Sequence, residues 1–166
     1  LEAGGNAVDA AVAASLAMGA AAPGSSGLGG QTWLVVHMAS GEDAAFLSPI
    51  RAPLRLSLGR ARMARRDQVM TGLLAPTAPG TVATLAKAHE RFGRLPWAAL
   101  FGPAIAIAEE GSIVNEADRL FLEQYRDRIE ASPALRPLYL TGTCDAEGLA
   151  GVVPAGKCSD ERSSSG

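Results

Sequence analysis

Cysteine is nearly missing from this 166-residue chain: two residues in all, too few for a disulfide scaffold or a four-cysteine zinc site. Aromatics amount to only 5% against an apolar total of 48%, so small aliphatic residues, alanine above all, carry the hydrophobic content. Neither charge sign dominates. Fifteen Lys+Arg against seventeen Asp+Glu leave a formal net charge of −2, which excludes a general nucleic-acid binder with a clustered basic surface. Long hydrophobic runs are lacking too. The longest, from Ala7 to Pro23, is interrupted by Asp9, Ser15 and Gly19, and its alanines gain too little on transfer to lipid to make a membrane span. No charged segment followed by an apolar core marks a signal peptide.

What is present suits one domain able to bury a core. The chain opens at Leu1 directly on a motif and closes on the polar stretch 158–166, so it reads as a fragment: a folded region over 1–157 and a disordered tail over 158–166. Asn6 is placed to cap a helix from Ala7 to Ala20 by accepting the Asp9 backbone N–H. Val8, Val12, Leu16 and Gly19 share one face of that helix, and small residues elsewhere predict burial all round. The glycine-dense stretch 23–30 forms a loop. Thr32 to Met38 and Ala44 to Leu47 then read as the strands of a hairpin. Six arginines between Arg51 and Arg66 predict an exposed, solvated loop. A second helix opens at Thr81 with Val82, Leu85, His89 and Phe92 at helical spacing and stops at Gly93. Pro96 begins a short helix and Pro103 restarts it, with Gly111 as its end. A further helix, capped by Asn115, runs from Glu116 to about Ile129, with Leu120, Phe121, Tyr125 and Ile129 facing inward. No internal repeat is visible.

No chemistry assembles itself from these residues alone. The order helix, glycine turn, strand is the reverse of what a phosphate cradle needs, and no Walker lysine follows. His89 lies on an apolar stripe and reads as a core or boundary histidine. His37 has no acidic or hydroxyl partner that the sequence places beside it. Cys144 and Cys158 lack C-x-x-C spacing and a histidine cluster, and a disulfide between them stays open. Asp9, Glu109, Glu110 and Asp118 are explained by helix-end and surface roles rather than acid–base work. Ser25-Ser26 lacks the G-x-S-x-G elbow of a nucleophile.

The order of motifs is more telling. Gly4-Gly5-Asn6-Ala7-Val8-Asp9-Ala10-Ala11-Val12-Ala13 resembles the G-G-N-A-V-D-A-A-V-A signature of the γ-glutamyltransferases (γ-glutamyltranspeptidases). Pro23 with Ser25-Ser26-Gly27-Leu28-Gly29-Gly30 is similar to that family's P-x-S-S-G-L-G-G. Ala78-Pro79-Gly80-Thr81-Val82 resembles its V-P-G-T-V. Gly93-Arg94-Leu95-Pro96-Trp97, Pro103-Ala104-Ile105 and Ala108-Glu109-Glu110-Gly111 resemble its G-R-L-P-W…P-A-I…A-E-E-G run. The likeness covers about residues 1–112.

This resemblance implies an α/β (α+β) fold, a partial N-terminal nucleophile hydrolase αββα sandwich, of which the chain is a helix-rich fragment from the large subunit. It implies a precursor that cleaves itself, and a small catalytic subunit as partner whose new N-terminal threonine attacks a γ-glutamyl small molecule. The acyl group then passes to water or an amino acid, with no cofactor and no metal. None of Thr32, Thr71, Thr77, Thr81, Thr84, Thr141 and Thr143 lies in a T-T-H-type processing motif, so no residue here is assigned a catalytic role. The family's R-E-x-A-P arginine, which holds the substrate α-carboxylate, corresponds to the stretch Pro49-Ile50-Arg51-Ala52-Pro53. Pro49 stands at the arginine position and Ile50 at the glutamate, leaving Arg51 as the candidate substrate-binding residue. Two other readings follow: a related acylase of the cephalosporin acylase kind, and a catalytically silent structural fragment. Compartment is not encoded in these residues; the resemblance implies an exported or periplasmic protein.

Overall fold

A computed structural model describes residues 1–71, 74–112 and 116–139. The chain divides into two compact units, one built from residues 1–12 and 28–95, the other from 13–27 and 96 onward. The 158–166 tail, Cys144, Cys158, Asn115 and the last two threonines lie outside the described residues.

Helix α1 (Ala7–Ala21) begins as its sequence dictates. The Asn6 side-chain oxygen accepts the backbone N–H of Val8 at 2.9 Å and of Asp9 at 3.0 Å. Asp9 in turn accepts the Asn6 backbone N–H at 2.8 Å, a reciprocal cap that satisfies donors no intrahelical carbonyl reaches. Val8, Val12 and Leu16 are buried, one turn apart along a single stripe. The expectation of burial all round is corrected: Ala11, Ala14 and Met18 form an exposed face.

In the first unit, β1 (Trp33–His37) and β2 (Asp43–Leu47) pair antiparallel, with Trp33 opposite Leu47, Val35 opposite Ala45 and His37 opposite Asp43. Because side chains alternate along a strand, Leu34, Val36, Ala44 and Phe46 share the more buried face. There the Phe46 ring meets Phe92 of α4 (Thr81–Phe92) edge-on, with centroids 6.1 Å apart. The other face stays open: Trp33 is 76% and Val35 79% exposed. Within α4 the buried residues are Thr81, Thr84, Leu85 and Ala88. Val82 was expected at the inward spacing and is instead exposed. Polar Thr81 takes the inward place because its hydroxyl oxygen accepts a hydrogen bond from the Thr32 hydroxyl at 3.0 Å.

The arginine-rich stretch is not a plain loop. It holds two short helices, α2 (Leu58–Met63) and α3 (Arg66–Thr71). Ser57 starts α2 by accepting the Arg60 N–H at 3.2 Å, a cap signal that the charge pattern hid. The expected exposure holds, since α2 buries no residue.

In the second unit, a 3₁₀ turn (Trp97–Phe101) leads into α5 (Gly102–Glu110), as the two prolines predict. Gly111 ends α5 at φ 88° with its N–H on the Ile107 carbonyl, a left-handed stop that glycine accepts without a Cβ clash. Helices α6 (Glu116–Glu130) and α7 (Arg136–Tyr139) follow. The α6 core stripe is Leu122 and Ile129, with Tyr125 and Tyr139 packed against it. Leu120 and Phe121 were expected inward and are exposed; Phe121 instead lies over Gly24 and against the Tyr125 ring at 4.7 Å.

Candidate functional site

The site is built on two junctions within the first unit. At the first, the Asp9 carboxylate is almost fully buried and accepts backbone N–H groups from the far side of the unit. The Arg94 N–H lies 3.1 Å from both carboxylate oxygens, and the Leu95 N–H 3.3 Å from one. Asn6 donates its side-chain N–H to the Phe92 carbonyl at 2.5 Å. His89 Nε2 donates to the Leu95 carbonyl at 2.8 Å and sits 3.4 Å from the Asp9 carboxylate. Gly93 allows this packing, because a Cβ there would stand 2.2 Å from the His89 ring. Burial works to raise the Asp9 pKa, but the three N–H donors and the His89 charge together outweigh it and hold the carboxyl below its ordinary value. Asp9 is thus a buried tie rather than an exposed helix-end acid, and His89 is the boundary histidine expected.

At the second junction, the glycine loop docks on the Ala78-Pro79-Gly80-Thr81 segment. The Gly30 carbonyl accepts N–H groups from Gly80 and Thr81 at 2.9 and 3.2 Å. The Gln31 side chain donates to the Thr77 hydroxyl and the Ala78 carbonyl. Ser48, just past β2, accepts the Thr32 N–H with its hydroxyl at 2.7 Å. A Cβ on Gly80 would stand 2.3 Å from the Ser48 Cβ, so glycine is what lets the α4 entry approach the strand end. The Ala78 N–H donates to the Arg51 carbonyl at 2.9 Å, fixing the backbone of the candidate arginine.

Between β2 and α4 these contacts leave a cavity of about 660 Å³, lined among others by Ser48, Pro49, Arg51, Gly80, Thr84 and Lys87. That volume falls in the usual range for small-molecule clefts, about 300–1,000 Å³. The Arg51 side chain is exposed and has no ion-pair or hydrogen-bond partner among the described residues. Lys87 pairs with Glu90 at 2.7 Å on the surface, which raises the lysine pKa and lowers that of the glutamate. The arrangement can accept a carboxylate. Among the described residues no group of three or more His, Cys, Asp and Glu side chains could hold a metal ion, and no helix is long and apolar enough to cross a membrane.

Among the described residues, none of the remaining sequence candidates lines this cavity. His37 does have an acidic partner, Asp43 at 2.6 Å across the hairpin end, where both side chains are exposed. The strand register places that pair, and a sequence without fixed register does not. Ser25 closes the turn after α1, its N–H on the Ala22 carbonyl. Glu109 and Glu110 end α5 at the surface, and the Asp118 side chain lies outside the described residues. Sequence reasoning missed Ser48, Thr84 and Lys87, which reach the cavity only once hairpin and helix are packed. Helical spacing of Thr84 and Lys87 on α4 was the one available signal.

A family model described as Gamma-glutamyltranspeptidase matches residues 1–149. Glutathione hydrolase 2 of Arabidopsis thaliana is 34% identical over 141 residues, covering 85% of this chain and 24% of that protein. A Glutathione hydrolase proenzyme of Pseudomonas aeruginosa is 37% identical over 129 residues, covering 76% and 22%. The solved γ-glutamyltranspeptidase of Helicobacter pylori superposes with a TM-score of 0.77 at 29% identity, over 86% of this chain and 42% of that one. A cephalosporin acylase from Bacillus halodurans does so with a TM-score of 0.69 at 31% identity, over 78% and 24%. The chain spans about a quarter of the length of these curated relatives, and its small sheet and helices form a partial α/β fragment of the N-terminal nucleophile hydrolase fold. On a match across 149 of its 166 residues, the chain belongs to the γ-glutamyltranspeptidase family.

Proposed function

We propose that this chain is the first part of the large subunit of an enzyme that moves γ-glutamyl groups to water or amino acids, with the attacking N-terminal threonine supplied by a small subunit of the same precursor. In that scheme Arg51 holds the substrate α-carboxylate through a two-pronged guanidinium contact, and the cavity between β2 and α4 forms part of the substrate wall. The observation that carries the reading is the placement of Arg51, without a counter-charge among the described residues, on that 660 Å³ cavity in the stretch that resembles the family's R-E-x-A-P. In this scheme residues 1–166 supply scaffold and substrate wall, and the nucleophile comes from the small subunit.

The test is turnover of a γ-glutamyl anilide by the intact protein. Arg51→Gln is expected to raise KM about 10- to 100-fold, the loss of one charge-assisted contact, with kcat changed far less. An unchanged KM removes Arg51 from the site. The second reading, an acylase taking a different acyl group, is favoured by Pro49 and Ile50, which stand where the family has its arginine and glutamate. Turnover of a glutaryl amide without turnover of the anilide establishes that alternative, and silence toward both overturns the enzymatic reading.

A further inference from the structure

A second cavity lies in the same unit, about 170 Å³ in volume and lined by Pro53, Arg55, Leu56, Arg60 and Leu74. It is well below the range of clefts that hold a whole organic ligand, yet two of its five lining residues are arginines. Arg55 precedes α2 and Arg60 belongs to it. Neither guanidinium has a partner among the described residues, and no acidic side chain lines the cavity. Nearby, Asp67 is engaged by Arg65, which donates to both of its carboxylate oxygens. Two positive groups on one small cavity repel each other unless an anion lies between them. Their fork geometry suits a planar or tetrahedral oxyanion held by paired N–H donors, and Pro53, Leu56 and Leu74 supply the apolar part of the lining.

We infer that Arg55 and Arg60 form a binding site for a compact oxyanion, a carboxylate or phosphate group, separate from the cavity that Arg51 lines. The volume admits such a group but no whole organic ligand, so the ligand is an anionic end or branch of a larger molecule, or a free ion. Arg62 and Arg66 share the segment and its charge but do not line the cavity, which makes them internal controls for a merely diffuse basic surface.

The experiment is calorimetric titration of the intact protein at low ionic strength with inorganic phosphate and, separately, with glutarate. At least one anion is expected to bind saturably, with affinity falling 10-fold or more in both Arg55→Gln and Arg60→Gln and staying within 2-fold in Arg62→Gln. The tighter anion identifies the source, a phosphate ester or a carboxylate-bearing peptide. Absence of saturable binding to either, or an equal loss in Arg62→Gln, overturns the site. Loss in Arg51→Gln alone assigns the anion to the other cavity and overturns this one as well. A measurement on the unaltered protein guards against misfolded variants: modification of arginines by phenylglyoxal, mapped by mass spectrometry, is expected to slow at Arg55 and Arg60 when the anion is present while Arg62 reacts as before. Equal rates at all three with and without the anion also overturn the assignment.

Discussion

The junction where α1 meets the end of α4 and the arginine-rich stretch from Arg51 to Thr71 belong to one compact unit, yet they use charge in opposite ways. At the junction a single carboxylate, Asp9, is buried and collects three backbone N–H groups. In the stretch, six arginines stand exposed and α2 buries nothing. Burial is what separates them. A hydrogen bond to a charge shielded from water counts fully, because removing one partner strands the others, whereas an exposed charge exchanges its partner for solvent at little cost. The junction therefore ties the unit together, and the stretch stays open to solvent.

Substitutions should widen this contrast. The largest effect is expected at Asp9→Ala, which leaves three backbone donors without an acceptor and should cost about 3 kcal/mol of unfolding free energy, read from the chemical denaturation midpoint of the intact protein. An effect no larger than that of a surface change would dissolve the distinction between the two regions. The acid limb follows in size. Because the folded-state pKa of Asp9 lies below its ordinary carboxylate value, its contribution is complete above the unfolded value and is lost as pH falls from there through the folded one. Stability of the parent protein should therefore decline on the acid side of the ordinary carboxylate range, and Asp9→Asn should flatten that decline. The smallest effect belongs to the stretch: Ser57→Ala removes the α2 cap and should cost about 1 kcal/mol or less, visible as faster proteolysis between Arg55 and Arg66 rather than as a shifted global midpoint.

Local signals made much of the fold legible. Asn6 before an alanine-rich run, the β-formers on either side of Gly41, and the prolines at 96 and 103 each act within a few residues, and each element begins close to where they place it. Faces were harder to read than elements. Thr81 outranks Val82 for an inward place because a hydroxyl partner waits on the strand, and Leu122 outranks Leu120 and Phe121 because of where Tyr125 and Tyr139 lie. The Asp9 tie spans 85 residues of sequence, so half of its reciprocal cap was visible and its deeper role was not. Arg51 was named from the motif alone, while Lys87 and the Arg55–Arg60 pair needed a packed surface to bring them to a cavity.

The open face of the hairpin has an optical consequence. The chain holds two tryptophans. Trp97 is half-buried with its ring edge-on to Phe101 at 5.3 Å, while Trp33 stands in water opposite Leu47. In a sandwich of two sheets, the layer that comes down on Trp33, Val35, Ala45 and Leu47 would dehydrate that indole. Trp33 emission shifts to shorter wavelength wherever a layer covers that face, so the indole reports coverage of the hairpin without a label.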